Sequence, residues 1–331
     1  MIARIEQHPQ LISLGMVLIL TIALLWLIQH LMIRYGKRIL GLISRVDFWL
    51  REHIARLPLM VRLQQKYPAM FGFITKRFAR GHFSGLILTI LTLLNIYILA
   101  LFAGLVEDVV NADSIVTTDL FVSKHMSVLQ DSSIVPAFVF ITSLGSTPIT
   151  CLIILLTAIL CAVVRQPYIL VGLLISTIGS TAFTFLSKMV FQRSRPIDIL
   201  LMEHTYSFPS GHATISIALY GFLAYMAIRF SQSFIHQVRI LSLALLLCLL
   251  IGLSRIVLNE HYLSDVMSGF LVGTLWLTIA ISMTEWLTAR GKIDWGVSCS
   301  KKQISLVWLG IIAVFVATLI YSNMYQFPLL G

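Results

Sequence analysis

The stretch SRIVLNEHYLSDV, residues 254–266, places an arginine, a glutamate, a histidine and an aspartate between two long apolar runs. His261 and Asp265 are four positions apart, so on a helix they face each other across one turn. A carboxylate that accepts a hydrogen bond from one imidazole nitrogen fixes the tautomer and leaves the other nitrogen available as base or nucleophile. The same spacing is also typical of a pair that only stabilises a helix. Chemistry at this pair therefore needs support from other segments.

A second segment, YSFPSGHA at residues 206–213, is typical of the beginning of a helix. Pro209 and Gly211 predict a turn, and Ser210 is a candidate N-cap before an apolar run. The first backbone N–H groups of such a helix and the positive end of its dipole suit a phosphate oxyanion. His212 is predicted in the first turn, where it could serve as an acid or base.

A third segment, KMVFQRSRP at residues 188–196, brings three cations close together. If a helix continues to the residue before Pro196, Lys188 and Arg195 lie on one face and Arg193 points elsewhere. On this reasoning Arg193→Met is expected to be milder than Lys188→Met or Arg195→Met. The alternative is that these cations only extend towards lipid headgroups at the end of a membrane span.

The three segments together could carry out phosphoryl transfer. His261, oriented by Asp265, can attack phosphorus, and His212 can protonate the departing alkoxide and later deprotonate water. The cations and the helix start would bind the phosphate oxygens; the residues concerned are Lys188, Arg195, Ser210, Gly211 and Arg255. The sequence shows no carboxylate cluster and no Cys/His ligand set, so neither a metal nor another cofactor is expected.

Elements that cross a membrane must position these segments. The 331 residues are 58% hydrophobic and 11% charged, and the mean hydropathy of +0.92 excludes a water-soluble globule. Apolar stretches of about 20 residues predict transmembrane helices, and they give an all-α, polytopic membrane protein. Eight spans are predicted: 11–33, 84–105, 137–163, 167–187, 212–229, 239–257, 264–287 and 304–324. Gly145 and Pro148, within ITSLGSTPIT at 141–150, predict a kink or loop at the outer end of the third span.

The net charge of +10 might suggest nucleic acid, but the distribution of the cations indicates membrane topology instead. Most lysines and arginines lie in loops on one side of the predicted spans, including residues 34–82, and the positive-inside rule makes that side cytoplasmic. The three polar segments then share the opposite face, which is the periplasmic face if the membrane is a bacterial inner membrane. No nucleic-acid partner is expected. Residues 34–82 either bind anionic lipid or form an ordinary solvated segment.

The three segments resemble the signature of the type 2 phosphatidic acid phosphatase superfamily, which reads K-x6-RP, PSGH and SR-x5-H-x3-D. Every fixed position is present: Lys188, Arg195, Pro196, Pro209, Ser210, Gly211, His212, Ser254, Arg255, His261 and Asp265. The resemblance implies a metal-independent lipid phosphatase with His261 as nucleophile, Asp265 as its orienting partner and His212 as general acid. It also implies phosphate binding by Lys188, Arg195, Ser210 and Arg255.

The resemblance also divides the chain. It covers a six-span core at about residues 84–290, with an anchor and a basic segment at 1–83 and an extra transmembrane helix at 291–331. Glu260, directly before the implied nucleophile, could select a headgroup or face water, and facing water is favoured because adjacent helical positions point to different faces. Glu203, His204 and Tyr206 lie in a short loop from which they could touch a headgroup.

The sequence leaves the substrate and two alternative functions open. The leading interpretation is hydrolysis of a lipid-linked phosphate or pyrophosphate monoester. Undecaprenyl pyrophosphate, phosphatidylglycerophosphate, phosphatidic acid and lipid A phosphates all fit the implied site. The first alternative is a phosphotransferase that passes phosphate to a second lipid. The second is a lipid or ion transporter, which would require polar groups along a path deep within the spans.

Overall fold

Long apolar segments form helices because a helix satisfies its own backbone hydrogen bonds in hydrocarbon. The computed structural model describes residues 9–77, 85–130, 132–201, 205–297 and 300–324, and this part of the chain contains helices but no strand. In chain order the helices are α1 Pro9–Arg56, α2 Pro58–Lys66, α3 Pro68–Arg77, α4 Leu86–Val110, α5 Ser114–Ser127, α6 Val135–Ser143, α7 Thr147–Val163, α8 Ile169–Phe191, α9 Gly211–Phe230, α10 Phe234–Val257, α11 Leu263–Ala289 and α12 Lys301–Met324.

Seven of the described helices are long and apolar enough to cross a membrane: α1, α4, α8, α9, α10, α11 and α12. Helices α6 and α7 pass the same test as a pair bent by 43°, which gives up to eight spans. The predicted spans are therefore confirmed, and the chain is an integral membrane protein. Helix α1 continues without a break to Arg56, well beyond the predicted end of the first span at residue 33.

The break between α6 and α7 confirms the predicted kink in the third apolar stretch. Pro148, which has no backbone N–H, stands in the first turn of α7, where that group would have no partner within the helix. Gly145 lies in the break, and a Cβ atom added there would be 3.0 Å from Cδ2 of His212. A side chain at position 145 would therefore press on the His212 ring, so the break lets the third stretch approach the beginning of α9.

Helix α11 is the central helix of the bundle, in contact with α4, α8 and the first turns of α9. Two glycines allow its close approach to α9. A Cβ on Gly269 would lie 2.6 Å from the Ser210 carbonyl oxygen, and one on Gly273 would lie 2.6 Å from that of Thr214. Because neither glycine carries a side chain, the first turns of α9 and α11 lie directly against each other.

Helix α9 contains a π-helical turn, Ser216–Tyr220, directly after its first α-helical turns. Two neighbouring helices donate to carbonyl groups of this turn. The Ser176 hydroxyl on α8 donates to the Ala218 oxygen at 2.7 Å, and the Cys248 thiol on α10 donates to the Ser216 oxygen at 3.3 Å. A π turn changes the rotation of the helical turns before it relative to those after it, so these contacts help to set the orientation of the first turn, which carries His212, relative to the rest of α9.

Candidate active site

The structure brings the three polar segments together at one end of the bundle. The Ser210 N–H donates to the Asp265 carbonyl oxygen at 3.0 Å, which ties the start of α9 to the start of α11. Arg195 donates through Nη1 to the Glu260 carbonyl oxygen at 2.8 Å, which ties the segment after α8 to the turn before α11. The three distant motifs are therefore joined to one another by hydrogen bonds.

The His261 and Asp265 side chains are buried and close to each other, as their spacing predicts. His261 Nδ1 lies 3.5 Å from Asp265 Oδ2, and Asp265 Oδ2 also accepts the Tyr262 N–H at 2.9 Å and the Ser207 hydroxyl. The pair does not face across a helical turn, however, because α11 begins only at Leu263. Asp265 instead belongs to a capping box at the beginning of α11, and His261 lies in the turn before it.

Arg195 determines which tautomer of neutral His261 fits the site. Its Nη1 lies 3.3 Å from His261 Nε2. Because a guanidinium group can only donate, Nε2 must be the nitrogen that accepts, and the ring proton then resides on Nδ1, beside Asp265. Thr205 fixes the guanidinium by accepting Nε–H at its carbonyl oxygen at 2.7 Å and Nη2–H at its hydroxyl at 3.0 Å. His261 therefore presents Nε2 to the cationic side of the site.

The helical-face prediction for the third segment is wrong. Helix α8 ends at Phe191, and Gln192 takes a left-handed conformation with a φ of 46°. Arg195 consequently lies beyond the helix and reaches the site from an irregular segment. Lys188, still within the last turn of α8, donates to the Tyr206 carbonyl oxygen. Both cations reach the same region, but they do so from different elements.

Arg193, which the helical argument placed away from the site, donates to the carboxylate beside the histidine. Its Nη1 donates to Asp265 Oδ1 at 2.6 Å, and its Nη2 donates to Asp119 Oδ2 at 2.8 Å. Burial by itself lowers the pKa of Arg193, but the Asp265 and Asp119 charges outweigh it and raise the pKa above its ordinary value. Arg193 is therefore a permanent cation next to Asp265, and the reason for expecting a mild effect of Arg193→Met no longer holds.

Arg255 is fully buried and donates through Nη1 to the Thr142 hydroxyl at 3.0 Å, close to the break between α6 and α7. The Glu260 carboxylate lies between two cations, with Oε2 at 3.8 Å from Nη2 of Arg255 and at 3.8 Å from Nη1 of Arg195. Thr142 and Glu260 therefore hold the buried arginine from two sides.

The expectation that Glu260 faces water is wrong, since its side chain is fully buried. The argument from adjacent helical positions fails because Asn259, with a φ of 54°, ends the helical path and turns the chain. Glu260 then points inward, where Oε1 accepts the Leu201 N–H.

We expect Glu260→Leu to destabilise the folded protein by roughly 3 kcal/mol, because it leaves buried Arg255 without its carboxylate partner. Thermal unfolding of the detergent-purified protein measures this. Glu107→Leu, at an exposed position on α4, is the matched control and should leave the transition temperature close to that of the wild type. Equal stabilities of the two variants would show that Glu260 does not stabilise Arg255.

The helix start has the features expected of an anion site. Ser210 is fully buried, and its Oγ has no hydrogen-bond partner among the described residues. Because buried hydroxyl groups normally have a partner, this group is suited to a ligand oxygen. A Cβ on Gly211 would meet only Thr184 Cγ2, at 4.0 Å, so there is room beside the first backbone N–H groups of α9. His212 lies in this turn, packed against Gly145.

Some expectations about the loop before α9 are not addressed by the described residues. Glu203 and His204 lie outside them. Tyr206 is described; its side chain is exposed and its carbonyl group binds Lys188. The Tyr206 ring therefore remains available to a headgroup, whereas its backbone helps to place a cation.

Sequence reasoning missed several residues that contact the site. Asp119 on α5, Thr142 near the helix break, and Ser207 and Thr205 in the loop before α9 contact Arg193, Arg255, Asp265 and Arg195 respectively. None of them is a fixed position of the three motifs, although Ser207 lies within the stretch 206–213. The signal for Arg193 was present, because an arginine on the outer side departs from the positive-inside rule. Nothing in the α5 sequence distinguishes Asp119.

The fold and the site define a class of protein: a helical membrane protein with a cationic site, containing a buried His–Asp pair, where several spans end. Residues 169–289 match the model of the PAP2 superfamily. All three motifs lie within the matched residues.

Two known proteins are similar to this chain. Phosphatidylglycerophosphatase B of Bacillus subtilis (strain 168) is 32% identical over 90 residues, which are 27% of this chain and 44% of that protein. The match thus spans less than half the length of this relative. The crystal structure of a transmembrane PAP2 type phosphatidylglycerolphosphate phosphatase from Bacillus subtilis shares the fold with a TM-score of 0.53 and 23% identity, covering 58% of this chain and 96% of that chain.

Proposed function

We propose that this protein hydrolyses a phosphate or pyrophosphate monoester carried on a lipid, without a metal ion, through a phosphohistidine intermediate on His261. The observation that carries the proposal is the setting of the imidazole, with Nδ1 beside Asp265 and Nε2 beside Arg195. The lone pair on Nε2 of this imidazole then points towards Arg195, where a phosphate group would be bound. The catalytic residues are His261, Asp265 and His212.

In the first step, Nε2 of His261 attacks phosphorus, and the bond from phosphorus to the lipid oxygen breaks. The ring becomes cationic as the new N–P bond forms, and the Asp265 carboxylate stabilises this charge. His212 donates a proton to the departing oxygen. Lys188, Arg195 and Arg255, together with Ser210 and the N–H groups near Gly211, bind the equatorial oxygens of the transferred group.

In the second step, His212 accepts a proton from water, the water oxygen attacks phosphorus, and the N–P bond breaks. Inorganic phosphate leaves and neutral His261 is restored. His212 thus regains from water the proton that it gave to the leaving oxygen, and the reaction needs no oxidant, reductant or substrate other than the lipid and water. The Nδ1 to Oδ2 distance of 3.5 Å is long for a hydrogen bond, and we expect it to shorten when phosphate is bound.

The position of the site supports a lipid as the carrier of the phosphate. Its side chains come from the ends of α8, α9, α10 and α11, all of which are long enough to span a bilayer. A phosphate on a lipid headgroup reaches this level without leaving the membrane. The names of the two relatives make phosphatidylglycerophosphate the first substrate to test, followed by phosphatidic acid, undecaprenyl pyrophosphate and lipid A phosphates. The cation distribution supports a site on the outer face of an inner membrane.

The test is an assay of the purified protein in detergent against these four lipids, with and without a metal chelator. We expect release of inorganic phosphate from at least one lipid, at a rate that the chelator does not change. In water enriched in heavy oxygen, the released phosphate should carry one solvent oxygen, whereas transfer to a second lipid would yield a phosphorylated lipid instead. Inactivity towards all four lipids, or activity abolished by the chelator, would contradict the proposal.

A further inference from the structure

We propose that Asp119 on α5 is a positioning residue for the His261–Asp265 pair and acts on it through Arg193 and Ser264. This inference rests on the proposed function, because it assigns a part in His261 chemistry to a residue outside the three motifs. Asp119 also lies outside the segment matched by the superfamily model, residues 169–289.

The Asp119 side chain is fully buried, and both of its oxygens have partners in the site. Oδ1 accepts the Ser264 backbone N–H at 2.9 Å, and Oδ2 accepts the Ser264 hydroxyl at 2.5 Å. Oδ2 also accepts Arg193 Nη2 at 2.8 Å. Asp119 therefore holds both the first turn of α11 and the guanidinium group that contacts Asp265.

Arg193 connects the two carboxylates. Its Nη1 donates to Asp265 Oδ1 at 2.6 Å and to the Ser264 hydroxyl at 2.7 Å, and its guanidinium carbon lies 4.4 Å from the centroid of the Tyr262 ring. One cation is thus held between two buried carboxylates. The Asp265 oxygen that does not face Arg193, Oδ2, is the one that faces His261.

This arrangement has an electrostatic consequence for the histidine. Arg193 alone would offset the Asp265 charge and weaken its stabilisation of a cationic imidazole ring. The Asp119 charge compensates Arg193, so Asp265 retains its effect on His261. Because desolvated charges interact strongly over such distances, loss of the Asp119 charge should destabilise the cationic form of the His261 ring.

Other titratable groups of the motifs stay unchanged when Asp119 is replaced. Arg195 lies beside His261, Tyr262 beside Asp265, and Glu260 beside Arg195; Lys188 on α8, His212 on α9 and Arg255 on α10 belong to the same three motifs. A change in the pH dependence of kcat/KM on replacing Asp119 can therefore be assigned to the loss of the Asp119 charge and its contact with Arg193.

The experiment compares Asp119→Asn with the wild type, using phosphatidic acid in detergent as the probe. The asparagine keeps the size and one oxygen acceptor but removes the charge. We expect kcat to fall about tenfold or more, with KM changed less than about threefold because the phosphate-binding cations are untouched. His261 must be neutral to attack, so its weakened stabilisation as a cation should move the acidic limb of kcat/KM to lower pH, by about one unit.

Two further variants make the result specific. In the double variant Asp119→Asn with Arg193→Met, the uncompensated cation is gone as well, so the acidic limb should return towards higher pH. Asp113→Asn, an exposed aspartate before the first turn of α5, should behave as the wild type. A lowered unfolding temperature of Asp119→Asn with an unchanged pH profile and kcat would reduce Asp119 to a structural role and overturn the inference. Failure of the proposed function itself is recognised separately, by activity that survives His261→Ala.

Discussion

His261→Ala is expected to lower the rate of phosphate release by roughly 10⁴-fold or more, because it removes the proposed nucleophile. The variant should still fold. His261 lies in the turn before α11 rather than within a helix, and the Asp265 capping interactions with Tyr262 do not involve the imidazole. The measurement is release of inorganic phosphate under single-turnover and steady-state conditions.

Trapping of the intermediate adds a second measurement for the same variant. Wild-type protein quenched in alkali after mixing with a lipid carrying radiolabelled phosphate should retain acid-labile label on the chain, and His261→Ala should retain none. His236→Ala, at an exposed position near the beginning of α10, is the matched control and should keep wild-type label and rate. Undiminished turnover in His261→Ala would remove the phosphohistidine mechanism.

Arg195→Met is expected to reduce kcat/KM by about 10³-fold. It removes a cation for the phosphate oxygens and also the donor beside His261 Nε2, while the backbone contacts of the loop before α9 remain. Arg195 has a largely buried side chain with partners in Thr205 and Glu260, so lysine should not restore full activity, because it lacks the planar donor geometry.

The control for this second prediction is Arg239→Met, an exposed arginine on α10 far along the helix from the site. It should leave kcat and KM unchanged. Arg193→Met offers a comparison within the site: it should lower kcat through Asp265 with little change in KM, whereas Arg195→Met should change both. A variant Arg195→Met with wild-type kcat/KM would mean that this arginine does not bind the transferred phosphate.

The sequence by itself determined the elements of this fold. Eight apolar stretches predicted the spans to within a few residues at most ends. A segment in lipid must satisfy its own backbone hydrogen bonds as a helix, and the apolar composition of the segment itself indicates this. Gly145 and Pro148 predicted the break in the third stretch for an equally local reason. Glycine allows additional backbone conformations at its own position, and proline lacks the N–H group that a helix interior needs. The main departure, the continuation of α1 to Arg56, lies where an amphipathic sequence gives no such constraint.

The sequence also predicted which motif residues gather at one site, because membrane topology brings alternate helix ends to the same side. The sequence could not predict the local backbone conformation that directs each side chain into the site. The left-handed conformations of Gln192 and Asn259 redirect the chain, so that Arg193 and Glu260 point inward against the helical expectation. Such a turn depends on the packing around it as much as on the residue itself.

Only the tertiary structure decided the supporting contacts of the His261–Asp265 pair. Asp119 and Ser264 are 145 positions apart in the chain, and no spacing rule connects them. Their contact exists because Gly269 and Gly273 bring α11 against α9 and because α5 packs across the start of α11. Local sequence specifies helices through backbone hydrogen bonding, whereas the partner of a buried charge is specified by whichever element the packing of those helices places beside it.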